Sequence, residues 1–240
     1  MSSRLIGKLN KVIFSLSHPR CWVPLSRGVA PAIEHASVLA DVDCDLLLDV
    51  GANRGQFSLI SRVVHPKLRI QAFEPQPGEA AVYRSLFEGD PLVRLHEVAL
   101  GDKAGEADLH ISRRADSSSL LPIGELQAKL FPSTEEVGVH RVPVVTLDSL
   151  VSNWTDAQRI LLKLDVQGYE LGVLRGARVA LQRCAFVYAE CSEVPLYTGQ
   201  ALYPEVASFL QQEGFRPVRK ANEQYVEGQL VQADHLFGRT

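Results

Sequence analysis

The feature that most constrains this chain is a pattern that repeats from Leu46 onward. A short apolar run ends at or near a carboxylate, a stretch with helical periodicity comes next, and another apolar run begins. Leu46–Val50 is apolar apart from Asp49 and runs into the turn Gly51-Ala52-Asn53-Arg54-Gly55. Arg54–Val64 reads as a helix stopped by Pro66, and Arg69–Phe73 as a second strand ending in Glu74-Pro75. Glu79–Phe87 is helical, and Val93–Leu100 is a third strand closed by Gly101-Asp102. The series resumes with the strand Ile160–Val166, a helix from about Gly168 to Gln182, the strand Phe186–Cys191 and a helix at Tyr203–Glu213. Strands joined through helices pair in parallel with right-handed crossovers. The last two runs, Phe215–Lys220 and Leu230–Phe237, have no helix between them and must form an antiparallel hairpin.

The prediction is an α/β chain with a seven-stranded, mostly parallel sheet, an antiparallel final hairpin and helices on both faces. One domain covers 46–240, with a loop and hairpin insertion at about 107–147, and a helical segment, a lid or surface helix, covers 1–45. The insertion reads as two strands, Ala107–Ile111 and Val142–Leu147, flanking a polar loop at 112–141, and long loops inside compact domains tend to serve function.

Composition narrows the function. Hydrophobic residues make up 46% of the 240, enough for a packed core, which excludes global disorder. With 25 basic against 28 acidic residues the net charge is −3, which argues against a nucleic-acid binder that relies on bulk charge. Cys21, Cys44, Cys184 and Cys191 form no C-x-x-C pair, as expected in a reducing compartment and not of a disulfide framework or cysteine zinc site. There is no apolar run of about 18 residues that would cross a membrane. Near the N-terminus Leu5, Ile6, Leu9, Val12, Ile13 and Leu16 fall at helical spacing, with Arg4, Lys8 and Lys11 among them. The two lysines interrupt the uncharged run that a signal peptide needs. Two readings remain: a helix packed on the domain as a lid, or a basic amphipathic helix on a membrane surface. The expected location is the cytoplasm, with peripheral membrane contact as the second reading.

In open α/β sheets, ligands bind beyond the carboxyl ends of the strands. The residues there are Asp49 to Gly55, Glu74, Ala99 to Asp102, Asp165 and Glu190. A dinucleotide site calls for G-x-G-x-x-G, but Asn53 and Gln56 stand at the second and third glycine positions and Asp49 adds negative charge beside any phosphate. A Walker-type loop is also missing. S-adenosylmethionine (SAM) fits better, having no phosphate but an α-ammonium, a sulfonium and a ribose. Asp49 suits its cationic end, Gly51 close backbone approach, Gly55 tight helix packing and Glu74 the ribose hydroxyls.

These stretches resemble the FkbM family of SAM-dependent methyltransferases. The resemblance rests on Leu48-Asp49-Val50-Gly51-Ala52-Asn53-Arg54-Gly55-Gln56-Phe57, Phe73-Glu74-Pro75 and Val98-Ala99-Leu100-Gly101-Asp102. Thr146-Leu147-Asp148-Ser149-Leu150 and the run from Leu162 through Asp165 and Gly168 to Ala177 complete it. It implies a Rossmann-like class I methyltransferase fold and methylation of a hydroxyl on a carbohydrate, such as a glycolipid or polysaccharide, or on a small metabolite. It also implies cofactor contacts at Asn53, Phe57, Ala99 and Leu100. Where the family often carries an acid, this chain has Gln167.

An alcohol is a poor nucleophile until it loses its proton, so a general base is expected. Asp165 is the leading candidate, a helix-capping role being the structural alternative. Lys163, a lone cation in an apolar strand, either pairs with an acid such as Glu190 or orients the acceptor oxygen. Glu190 completes the expected catalytic set. Asp165 and Glu190 could hold a divalent cation, but Cys191 stands where a further oxygen ligand is wanted, so no metal is expected. Ser117, Ser118 and Ser119 could touch cofactor or substrate, and Tyr197 could line an acceptor pocket. Two other functions stay open: a catalytically inactive SAM-binding partner protein and a nicotinamide-dependent oxidoreductase.

Overall fold

The computed structural model describes residues 3–154 and 156–240, with side chains from residue 9 onward. Ten strands succeed one another as β1 Leu46–Val50, β2 Arg69–Phe73, β3 Val93–His96, β4 Ala99–Leu100, β5 Gly105–Ser112, β6 Glu136–Val145, β7 Ile160–Leu164, β8 Cys184–Ser192, β9 Phe215–Val226 and β10 Gln229–Arg239. The helices are α1 Ser3–Ser17, α2 Trp22–Ser26, α3 Ala36–Ala40, α4 Gln56–Val64, α5 Pro77–Leu86, α6 Glu125–Leu130, α7 Glu170–Arg175, α8 Arg178–Leu181 and α9 Tyr203–Gln212. Seven strands form one sheet in the order β3-β2-β1-β7-β8-β10-β9. All pairs are parallel until β10, which runs antiparallel to β8 and β9. This is the expected seven-stranded, mostly parallel sheet with its antiparallel terminal hairpin.

Both faces are buried, which explains the near-continuous apolar runs. Successive side chains of a strand point to opposite faces. Leu46, Leu48 and Val50 of β1 therefore join the core under α7 to α9, and Leu47 joins the one under α3 to α5. In β7, Leu162 and Leu164 pack on the first face and Leu161 on the second. Asp49 and Lys163 fall by the same alternation on the second face, directly opposite each other in register. The segment before β1 adds Ala32, Val38, Leu39 and Val42 to that core. Of the N-terminal amphipathic pattern, the side chains of Arg4, Leu5, Ile6 and Lys8 lie outside the described residues, whereas Leu9, Val12, Ile13 and Leu16 are exposed.

Three expected elements differ. The single strand at Val93–Leu100 divides: Val93–His96 stays in the main sheet, and Ala99–Leu100 pairs with Val144–Val145 in a three-stranded sheet ordered β4-β6-β5. The polar loop at 112–141 is shorter than expected, because β6 begins at Glu136 and α6 packs Leu126 and Leu130 against Leu196, Tyr197 and Val231. The helix expected across Gly168–Gln182 breaks at Gly176, whose backbone passes so close to the Gly101 carbonyl that a Cβ would lie 2.0 Å from it. Asp148 secures the break: its N–H donates to the Gly176 carbonyl, and its carboxylate accepts the Ala180 N–H at 2.8 Å, capping α8.

Gly176 has an ordinary φ of −87°, so only this close approach demands glycine. Gly176→Ala is therefore expected to lower unfolding stability by about 1–3 kcal/mol in urea denaturation, the usual range for overpacking. An unchanged midpoint would show that the Gly101 turn yields freely.

Candidate active site

The carboxyl ends of β1, β2, β7 and β8 open into a cavity of about 420 Å³, which the 115–119 segment and Gln127 of α6 also line. Its floor is the turn after β1. Asn53 (φ 48°) and Gly55 (φ 93°) adopt left-handed backbone, which delays α4 until Gln56, and the amides of Gly51 to Gly55 all donate within the protein. A Cβ on Gly51 would lie 1.8 Å from the Asp165 carbonyl, so this turn is pressed against the end of β7. Gly55 lies away from the cavity and admits Tyr83 and Phe87 against the turn, the packing role expected of it.

Glu74 is the most constrained acid in the cavity. Its Oε2 accepts the Asn53 N–H and its Oε1 accepts the Gln76 N–H, both at 2.8 Å. Burial pushes its carboxyl up to about 7, and the two amides only partly offset that. Each oxygen keeps a lone pair for a further donor, so the group is set to receive a vicinal diol. Phe57, Ala99 and Leu100 line the same cavity as expected, and the 115–119 segment reaches it through Gln76, whose Nε2 donates to the Ala115 carbonyl.

The structure corrects the role expected of Asp49. Its side chain is fully buried beneath the cavity, accepts the Ser58 hydroxyl at 2.6 Å and lies 3.1 Å from Lys163 Nζ. It therefore cannot meet the cationic end of a ligand directly. Lys163 is equally tied down: Nζ donates to the Gly51 carbonyl at 2.8 Å and lies 3.6 Å from Asp165. Burial opposes its charge, but the carboxylates of Asp49 and Asp165 outweigh it and hold the ammonium above its ordinary range. Lys163 therefore holds the floor together and is not free to orient an acceptor oxygen. The expected pairing of Lys163 with an acid is met by Asp49 and Asp165, not Glu190.

Asp165 opens onto the cavity with its side chain 40% exposed. Gln167 (φ 54°) splits its amide between two acids, Nε2 donating to Asp165 at 2.8 Å and to Glu190 at 2.7 Å, while its Oε1 accepts the Tyr197 hydroxyl. Burial, reinforced by Asp165, pushes the Glu190 carboxyl well above the usual range. Glu170 is buried and accepts the Val166 and Gly168 N–H groups, fixing the turn after β7. Among the described residues no cluster of three His, Cys, Asp or Glu side chains is arranged to hold a metal ion.

Sequence reasoning missed several residues in the cavity wall. His35, Asn222 and Asp234 stand together opposite the Glu74 end, and Gln224 and Gln232 line the wall beside them. Gln127 is buried against the cavity with its Oε1 lacking a hydrogen-bond partner. His35 precedes β1, and the others come from the terminal hairpin and α6, where no strand-end motif marks them.

The sequence profile of the methyltransferase FkbM domain matches residues 49–217. The chain is 30% identical over 161 residues to 2-O-methyltransferase NoeI of Sinorhizobium fredii (strain NBRC 101917 / NGR234), covering 65% of this chain and 66% of that protein. It is 28% identical over 149 residues to methyltransferase 1 of Beauveria bassiana (strain ARSEF 2860), covering 56% and 59%. It is also 28% identical over 213 residues to 31-O-demethyl-FK506 methyltransferase FkbM of Streptomyces tacrolimicus, covering 78% and 79%. The match thus spans just under two thirds of the first of these relatives and less of the second.

An acid placed to receive a diol, its carboxyl pushed up to about 7 by burial, gives a signed expectation for a ribose-bearing ligand. S-adenosylhomocysteine should bind with constant affinity above that pH and more weakly below it, as the carboxylate that accepts both hydroxyls is protonated. In calorimetry, Glu74→Ala should weaken binding on the order of 100-fold, the scale of two hydrogen bonds to a charged group. Equal affinities for the two proteins would refute the ribose assignment.

Proposed function

The chain belongs to the FkbM methyltransferase family, and from that premise we propose that it is a SAM-dependent O-methyltransferase acting on a hydroxyl of a carbohydrate or small metabolite. The observation that carries the reading is Glu74, held by two backbone amides and open to a diol at the end of β2. Beside it the amides of the turn after β1 are already taken by Phe73, Glu74, Asn53 and Ala52, which leaves no phosphate cradle there. The residues present fit a nucleoside with a cationic tail: Glu74 takes the ribose, Ala99 and Leu100 pack against the base, and Asp165 takes the α-ammonium in place of Asp49. When bound, SAM supplies an electrophilic methyl group on a sulfonium. The protein's part is to align an acceptor hydroxyl with it, exclude water and remove one proton.

For the acceptor, two relatives are named for O-methylation, one of them at a 2-O position. The amide side chains of Gln127, Asn222, Gln224 and Gln232 suit a hydroxyl-rich molecule, since each can donate and accept. The acids Glu34, Asp165, Glu190 and Asp234 in the same wall would repel a phosphodiester backbone, which disfavours a nucleic acid. We take residues 46–240 as the catalytic domain and Glu190 and Lys163 as positioning groups within it.

The same proposal places the enzyme in the cytoplasm, peripheral to a membrane. The first acidic residue is Glu34, so residues 1–33 hold five basic side chains and no acid, while the remainder is net acidic. Leu9, Val12, Ile13 and Leu16 form an exposed row at helical spacing, and Trp22 and Val23 are exposed beside it. An apolar row in a cationic segment matches an anionic lipid surface.

Two measurements check this reading. Incubation with methyl-labelled SAM and glycan and metabolite extracts of the host should label a hydroxyl as a methyl ether. Binding of NADH without SAM would restore the oxidoreductase reading, and SAM binding without any transfer would favour an inactive partner protein. Vesicles containing anionic lipid should shift Trp22 emission to the blue against the constant background of buried Trp154, and Ile13→Glu with Leu16→Glu should abolish the shift. No shift, or the same shift with neutral vesicles, would remove the membrane from the proposal.

A further inference from the structure

The reaction needs a proton acceptor, and the acids at the strand ends are poorly suited to the task. Both are engaged by neighbouring side chains: Glu190 by Gln167, and Asp165 by Gln167 and Lys163. The opposite wall holds a group with the right chemistry. His35 lines the cavity, its ring edge-on to Phe57 at 5.1 Å and to Tyr188 at 5.7 Å, which fixes its plane. Its Nδ1 lies 3.0 Å from the Tyr188 hydroxyl, 3.1 Å from Asn222 Nδ2 and 3.4 Å from Asp234 Oδ2. The Tyr188 hydroxyl donates to Asp234 Oδ2 at 3.0 Å, and Asn222 Nδ2 donates to the same oxygen at 2.7 Å.

Resting on the methyltransferase reading above, we propose that His35 is the general base of the reaction, held by Tyr188 and Asp234 as positioning residues, with Asn222 donating to Asp234 and fixing that carboxylate. Asp234 draws the Tyr188 proton toward itself, leaving the Tyr188 oxygen to accept Nδ1–H of His35. That arrangement leaves Nε2, which has no protein partner among the described residues, with its lone pair available to the cavity. As a lone pair of the acceptor oxygen forms the new C–O bond, the C–S bond breaks and its electrons stay on sulfur. The hydroxyl proton passes to Nε2. The resulting imidazolium is stabilised by the Asp234 carboxylate and returns its proton to water after the product leaves.

The electrostatics agree with this role. Burial holds His35 below the ordinary imidazole range, with Asp234 partly offsetting it, so the ring is neutral at neutral pH. The charged groups that face it are Asp234 from β10, Lys163 from β7, Asp165 just beyond β7 and its neighbour Glu34, which is itself paired with Lys11 of α1. The acids outnumber the nearby lysine, which favours the imidazolium that forms during the reaction. The placement also explains why the amide wall belongs to the acceptor: Asn222 and Asp234 come from the same hairpin as Gln224 and Gln232.

The test uses the full chain with methyl-labelled SAM and the host glycan and metabolite extract, and S-adenosylhomocysteine as binding probe. His35→Ala should lower the transfer rate about 100- to 1000-fold, in the range of a lost general base, while S-adenosylhomocysteine affinity stays within twofold. The wild-type rate should be flat around neutral pH and fall on acidification as Nε2 is protonated, the limb lying on the acid side of the ordinary imidazole range. His35→Ala should lose that limb and regain rate on addition of imidazole, and Asp234→Asn should move the limb to lower pH. Ring-nitrogen NMR of the wild type should show His35 protonated at Nδ1. An Nε2–H tautomer, a His35→Ala rate near wild type, or a rate loss matched by lost S-adenosylhomocysteine binding and not rescued by imidazole would each overturn the assignment. A wild-type protein that fails to bind S-adenosylhomocysteine would instead overturn the methyltransferase reading.

Discussion

The site depends on one buried ion pair, Asp49 with Lys163, facing each other across β1 and β7. Placing two charges in an apolar sheet is costly, and removing one partner from such a pair typically costs about 3–5 kcal/mol because the other is stranded. The pair's contribution here is geometric. Lys163 directs its remaining donors to the Val50 and Gly51 carbonyls, and so pins the turn after β1. The pinned turn presents the Asn53 N–H, and that N–H orients Glu74. A contact below the cavity floor thus sets the direction of the carboxylate that meets the ligand.

The cavity above that floor carries more negative than positive potential. Burial lifts the carboxyls of Glu74, Glu190 and Asp234, and each lift is reinforced by another acid nearby. Acids left in this state are destabilising until a cation arrives. By linkage, a positively charged ligand favours the ionised forms, draws those carboxyls back toward their ordinary range and releases protons on binding. The same surplus that suits a sulfonium and an α-ammonium also favours an imidazolium at His35 during proton removal. One electrostatic bias therefore serves both the donor and the base.

How much is legible in the sequence depends on where each residue sits in the fold. Acids that end apolar runs are easy to find, so Glu74, Asp165 and Glu190 emerge in the same cavity, and the terminal hairpin is implied by two runs without a helix between them. Asp49 is easily misread because a residue inside a strand obeys the alternation of the pleat: it faces α4 with Leu47, not the ligand. Gln167, an apparent loss of charge, turns out to join two acids through one amide. Asp234 and Asn222 escape a rule that inspects only the residues just past each strand. β10 runs antiparallel, so its beginning, not its end, lies at the ligand edge, with Asp234 opposite Glu190 in register. His35 belongs to a segment that reads as a lid or surface helix, and no local pattern ties it to Tyr188, 153 residues later.

That distribution bears on how such a chain acquires its acceptor. The matched domain runs from 49 to 217 and contains Glu74, Ala99, Leu100 and Asp165, the residues on the donor side. His35 precedes it, and Asn222, Gln224, Gln232 and Asp234 lie beyond it, yet all of them line the same cavity. The flanks meet only because the hairpin β9–β10 carries the chain back to the ligand edge and the segment before β1 packs over α4, with His35 bridging the two through Asn222 and Asp234. In the proposed reading, donor binding is thus built from one continuous stretch, whereas most of the acceptor wall, Gln127 apart, is assembled from separate pieces outside it. A change in the flanks can alter what is methylated while leaving the Asp49–Lys163 floor and the Glu74 cradle intact, so likeness within the domain says more about the donor than about the acceptor.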